Sequence, residues 1–176
     1  MTTTTPYPNS PGHRKILDTL CWLIEDAFES ELAHSLLHNL TDVHPGDWVA
    51  LPPGAGRSIA DILEHVGWCK WMYADYAFGS ASLPGDQPPQ IPAGGARSRP
   101  PVELLSWLKE GQAKWLASVR ALKDDAELER PRLTNWGELL PTSTIIRIMI
   151  GHDYYHAGEI NHLRSILQGT DRWEYP

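Results

Sequence analysis

Three histidines stand out by type and spacing: His65, and the pair within the run His152-Asp153-Tyr154-Tyr155-His156-Ala157-Gly158-Glu159-Ile160. Residues four apart in a helix lie about 40° apart around its axis, so His152 and His156 share one face. Two imidazoles one turn apart chelate a single ion, and a third from a facing helix completes a set of three nitrogens. Neutral ligands leave the full charge of a divalent ion uncompensated and leave positions open, which is the arrangement of catalytic rather than structural zinc sites. The competing reading of an inward histidine is a core side chain satisfied by a carbonyl or a water. Glu159 lies about 20° from His152 around the same helix. It either accepts the second N–H of a ligand histidine or faces water at the mouth of the fold.

Such a site needs long helices that face one another, and the apolar periodicity supplies them. Steps of three and four residues through Ile16, Leu20, Leu23 and Ala27 predict a first helix from 13 to about 40. Pro45, Pro52, Pro53 and the Gly54-Ala55-Gly56 cluster end it. Ser58 then reads as an N-cap with Asp61 returning the hydrogen bond, opening a second helix to Phe78. Its stripe holds Ile62, His65, Cys69, Met72 and Tyr76. Prolines and glycines between 80 and 99 exclude regular structure, and a loop that long is commonly a functional flap or simply mobile. Pro100 and Pro101 suit the first turn of a third helix, which carries Leu105, Leu108, Leu116 and Val119 and fades near Lys123. After a second irregular stretch, Thr142 or Ser143 caps a fourth helix that ends at Gln168 before Gly169. Its stripe takes in Ile145, Ile148, Glu159, Leu163 and Ile166 together with the two histidines. No β-alternating segment is visible. The expected fold is all-α: a four-helix bundle with long crossover connections, residues 13–176 forming one domain behind a disordered tail, 1–12. Gly151 and Gly158 share another face of the last helix, where close approach of a neighbour, within the bundle or across a dimer, would offset their helical cost.

The composition narrows the function classes. The 176 residues carry a net charge of −7, which repels phosphate backbones and anionic lipid, so neither nucleic acid nor membrane is an expected partner. No apolar run approaches the roughly 20 residues of a membrane-spanning helix, and the N-terminus lacks the basic and apolar regions of a signal peptide. The expected location is cytoplasmic. Cys21 and Cys69 fall in apolar helical stretches without metal-binding or redox spacing and read as two buried free thiols.

The run Ser58-Ile59-Ala60-Asp61-Ile62-Leu63-Glu64-His65, followed by His152-x-x-x-His156-Ala157-Gly158-Glu159-Ile160, resembles the DinB-like metalloprotein superfamily, which includes YfiT-type proteins and thiol-dependent transferases. The likeness in helix order and spacing extends from 13 to 168. It implies a bundle with a crossed-over connection, usually a homodimer, and one divalent ion, Zn²⁺ or Ni²⁺, on His65, His152 and His156. It also implies a transferase or isomerase in which the ion activates a low-molecular-weight thiol such as mycothiol or bacillithiol toward an electrophilic substrate. A metal-dependent hydrolase and a non-catalytic metal-binding protein are the alternatives.

Rival constellations are present. Glu31-x-x-His34 and Glu159-x-x-His162 match the paired motif of di-iron bundles, with Glu64 and Glu103 or Glu110 as further carboxylates, but that scheme leaves the three core histidines idle. His34 and His38 form another pair four residues apart, favoured near a helix C-terminus by its dipole. His152-Asp153-x-x-His156 resembles the zincin motif with a shorter acid, in the wrong fold for a protease. Tyr154, Tyr155, Trp68, Trp71 and the 80–99 loop are candidates to line a pocket, although aromatics at helical spacing are more often core.

Overall fold

The computed structural model describes residues 12–84 and 95–169. The expected N-terminal tail, apart from Gly12, and the centre of the 80–99 loop lie outside them. After a 3₁₀ turn at Gly12–Arg14, helix α1 spans Lys15–Glu25 and a short α2 spans Leu36–Asn39. The long helices are α3, Ile59–Phe78, α4, Pro101–Arg120, and α5, Thr142–Gln168. Their ends follow from local chemistry. The Ser58 side chain accepts from the Asp61 backbone while the Asp61 carboxylate accepts from the Ser58 backbone, closing the predicted capping box. Proline occupies the first position of α4. Gly169 ends α5 in the left-handed conformation at φ 66°, which glycine alone adopts without strain.

α3 packs against α4 and α5, and α1 packs against the same two helices. The four therefore form a square in which α1 faces α3 along one diagonal and α4 faces α5 along the other. The connections from α1 to α3 and from α4 to α5 each cross a diagonal, whereas the one from α3 to α4 joins neighbours, so the chain is an all-α bundle of crossover type. Asp125, just after α4, accepts from the Ile16 and Leu17 amides at 3.1 and 2.8 Å and so supplies the cap that α1 lacks in its own sequence.

Two expectations need correction. The first helix is not continuous to residue 40. It widens into a π turn at Asp26–Ser30, and Glu31 then leaves helical geometry. The Glu31 carboxylate takes the Ala33 amide at 2.9 Å and that of His34, a local alternative that outcompetes helix continuation. The second irregular stretch holds a two-stranded antiparallel hairpin, β1, Pro131–Leu133, and β2, Leu139–Pro141. Three-residue strands bounded by proline are too short to display alternation. Within the bundle, the close helix approach is made at Gly67 and Gly111 rather than at Gly151 and Gly158. A Cβ on Gly67 would sit 2.2 Å from the Trp107 ring, and one on Gly111 would sit 2.9 Å from Trp71. At Gly151 and Gly158 a Cβ would meet nothing within 4 Å among the described residues.

The apolar interior falls into two clusters. One centres on Ile62, Leu63, Val66, Leu108 and Ile160, the other on Leu17, Met72, Trp115, Ile145 and Met149. Between them, α3 and α5 are joined by a buried ion pair, Lys70 Nζ to Asp153 Oδ2 at 2.7 Å, with side-chain exposures of 0% and 2%. Two charges removed from water depend wholly on each other, and losing either partner from such a pair costs about 3–5 kcal/mol. Lys70→Met or Asp153→Leu alone should lower unfolding stability by that amount, whereas the double apolar replacement should recover most of it. Denaturant midpoints of the three variants check this, and a double variant weaker than both singles would show that the pair does more than satisfy itself.

Candidate metal centre

The two helices that carry the ion pair also carry the histidines. The capping box starts α3 so that His65 lies near the end of its second turn, at the solvent edge of the α3–α5 contact. The hairpin starts α5: the Thr142 amide and hydroxyl both donate to the Arg130 carbonyl, at 3.0 and 2.7 Å. From that fixed start His152 is half-buried and His156 is buried.

The ring nitrogens converge. His65 Nε2 stands 3.0 Å from His152 Nε2, and His156 Nε2 stands 3.2 Å from the same atom. Nitrogens bound to one ion at the usual zinc–nitrogen length lie about 3.0 Å apart in octahedral and about 3.3 Å apart in tetrahedral geometry. His156 Nδ1 lies 2.8 Å from Glu159 Oε2, so it donates to that carboxylate and its Nε2 carries the lone pair. His152 Nε2 can donate to only one of its two neighbours. Its own Nδ1 is buried without a partner among the described residues. Hydrogen bonds therefore leave this group under-satisfied, while a cation among the Nε2 atoms would use every lone pair.

The electrostatics lean the same way. Burial lowers the pKa of His152 to about 3, helped by His156, His65 and Lys70. Burial also lowers His65 and His156, and for His156 the Glu159 carboxylate partly opposes it. His65 is lowered although its side chain reaches solvent, because its ring edge is turned into the cluster. All three rings are thus neutral at pH 7, the state that ligates metal.

One residue of this cluster is missing from the sequence reading. Cys69 Sγ lies 4.0 Å from His65 Nε2, and the ligand atoms of His65, Cys69 and His152 all fall within 4.8 Å of one another, a group able to hold a metal ion that His156 adjoins only through its approach to His152. Both cysteines are free and buried, and burial pushes the Cys69 thiol up to about 11. The apolar stripe around Cys69 masked it, although its spacing from His65 repeats that of His152 and His156. Arg57 was also missed: it holds Glu159 through a 2.8 Å ion pair at the mouth of the site. Beside that pair a groove of about 460 Å³ is lined by Pro52, Gly56, Arg57, His162, Leu163 and Ile166, among others.

Other candidates go elsewhere. Asp153 is not a base facing the site but the buried partner of Lys70. The π turn and the bend at Glu31 break the helix that was to carry His34 and His38, and His34 pairs locally with Glu31 at 3.1 Å. That also removes Glu31 from any di-iron set. Asp61 serves the cap and binds Arg97. The Tyr154 hydroxyl donates to Asp26 at 3.0 Å, Tyr155 is exposed edge-on to His156, and Trp71 packs over Gly111. Ile166, assigned to the core stripe, is 52% exposed, because the buried face of α5 runs instead through Ile146, Met149, Asp153 and Ile160.

Compared with known families, the chain matches the DinB superfamily over residues 29–160, three quarters of its length. The chain belongs to the DinB superfamily. No curated protein matches its sequence. The span shared with the DinB superfamily contains all three histidines, Cys69 and Glu159, and it omits α1 and the last turns of α5.

The lowered imidazole pKa values fix the sign of a pH effect in the metal-free chain. Unfolding returns each ring to its ordinary value of 6.5, so below that pH the unfolded state takes up protons that the folded state refuses. Stability should be unaffected by these groups above pH 6.5 and fall as pH drops toward the His152 value of about 3. Chelator-treated protein should therefore show declining denaturant midpoints from pH 6.5 to about 5, above the ordinary carboxylate range. His152→Gln should flatten that slope, and an unchanged slope would contradict the assignment.

Proposed function

We propose that this chain is a metal-dependent transferase or isomerase that uses a low-molecular-weight thiol of the mycothiol or bacillithiol type. The observation that carries the reading is the meeting of three Nε2 atoms from two helices, each on a ring held neutral. His65, His152 and His156 would hold one divalent ion, zinc or nickel, and Glu159 would orient His156 through its Nδ1–H. Bound there, the ion would supply uncompensated positive charge that lowers the pKa of a nearby thiol, so that it reacts as thiolate at neutral pH. Arg57 keeps the Glu159 carboxylate in place, and the groove beside them offers Leu163 and Ile166 to the apolar part of a substrate. The thiol proton leaves to solvent, the sulfur forms the new bond to carbon, and the leaving group departs with its electron pair. Hydrolysis and plain metal binding use the same three rings, and what favours the thiol is the resemblance to a superfamily that includes thiol-dependent transferases.

Elemental analysis should find about one divalent ion per chain, lost in His152→Ala together with His156→Ala. Conjugation of a chlorobimane dye should require both the ion and one of the common bacterial thiols. Full metal retention in the double variant would sink the site. A loaded protein inactive with every such thiol would leave hydrolysis or metal binding.

The open face of α5 fits a second copy of this chain. Gly151, Tyr155 and Gly158 are exposed along it, with Tyr155 at 68% exposure, and the two glycines find no offsetting contact among the described residues. Sedimentation at micromolar concentration should give twice 19.7 kDa, and a change of Gly158 to Arg should return the monomer. A monomeric parent protein would refute the pairing.

A further inference from the structure

Cys69 is placed on α3 as His156 is placed on α5. Each stands four residues after a histidine, His65 and His152 respectively, and each therefore shares its partner's helical face. The two helices pack against one another. Four donors thus come as two chelating pairs, one from each side of the contact, and the pairs meet at the 3.0 Å approach of His65 to His152. Cys69 is 9% exposed, and its surroundings on the far side are the apolar cluster of Met72, Ile145 and Met149. Its sulfur lies at the end of that cluster nearest the imidazoles, 4.0 Å from His65 Nε2. Around a tetrahedral ion with usual bond lengths, sulfur and nitrogen stand about 3.6 Å apart. For this pair the difference is a few tenths of an ångström, within the reach of a side-chain rotation, and the His152 donor lies within 4.8 Å of the same sulfur.

We infer that Cys69 is a fourth protein ligand to the ion, so that the resting site has three nitrogens and one sulfur. This rests on His65, His152 and His156 being ligands, as proposed above, and it changes what the site does. On binding, the thiol proton of Cys69 passes to solvent and its sulfur lone pair goes to the ion. The thiolate cancels one unit of the ion's charge and takes the position that an external thiol would need. An incoming thiol must then displace Cys69 or share the ion with it. Cys69 thereby sets how readily the site accepts its substrate, and it keeps the ion four-coordinate and closed while no thiol is present.

The test uses the full chain loaded with Co²⁺ in thiol-free buffer. A sulfur-to-cobalt charge-transfer band should be present, should survive Cys21→Ala, and should vanish in Cys69→Ala while cobalt remains bound. Where Cys69→Ala fails to fold, Cys69→Ser serves the same purpose. In weak buffer with an indicator dye, metal binding should release one proton more from the parent protein than from either Cys69 variant. Adding mycothiol or bacillithiol to the variant should restore a band, with tighter thiol binding than in the parent. A cobalt-loaded parent without the band, or with the proton count of the variants, overturns the inference. If such a protein still conjugates the dye, the thiol-transferase reading stands alone. A band of Cys69 origin with no turnover keeps the fourth ligand and removes the transferase.

Discussion

Lys70 and Asp153 meet at full burial, 2.7 Å apart, in the layer that divides the two apolar clusters. An apolar contact between helices tolerates sliding, because hydrophobic burial has no direction. A buried ion pair does not, since a shift of one residue would leave two naked charges in a medium that stabilises neither. The pair thus defines how α3 and α5 sit along one another. Cys69 precedes Lys70 and His152 precedes Asp153, so the same register that joins the charges brings the donor atoms together. Lys70 also lies 5.0 Å over the Phe28 ring, which ties the π turn after α1 to this layer.

Around that layer the fold is built from close approaches and borrowed caps. Gly67 and Gly111 make room for the Trp107 and Trp71 rings between α3 and α4, whose packing is the most extensive of any helix pair and backs α3. The opposite side of α3 is then free to present His65 and Cys69 toward α5. Asp125 caps α1 from across the chain, and the hairpin starts α5 at a defined point. Each of these contacts limits the sliding or rotation of a helix that carries, or backs, a donor atom.

The site itself stores an unmet demand. Three neutral imidazoles face each other with more lone pairs than protons to share, and the buried His152 Nδ1 has no partner among the described residues. Protonation would relieve the crowding of lone pairs but is opposed by burial and by the neighbouring Lys70 and Arg57 charges. A small cation that accepts several lone pairs at once would satisfy the group. Glu159, itself held by Arg57, matters because it decides which nitrogen of His156 carries the proton.

Much of this was legible in the chain. Apolar periodicity located the three long helices, and cap chemistry at Ser58, Pro101 and Gly169 gave their ends, because those signals act within a few residues. The His152 and His156 pair was visible for the same reason, since helical geometry alone puts them on one face. Their partners could not be read. Whether His65 reaches His152, whether Cys69 is core or donor, and whether Asp153 faces the site or the interior all depend on the relative register of α3 and α5, which are separated by more than 60 residues. The break at Glu31 and the Asp125 cap were likewise hidden, because a side chain competing for backbone amides is recognised only when its partners are in place. The sequence by itself determined the three long helices, their ends and one face of the site, through forces of short range along the chain. The tertiary structure alone decided which faces meet, because that is set by a buried charge pair and two glycine approaches between residues far apart in sequence.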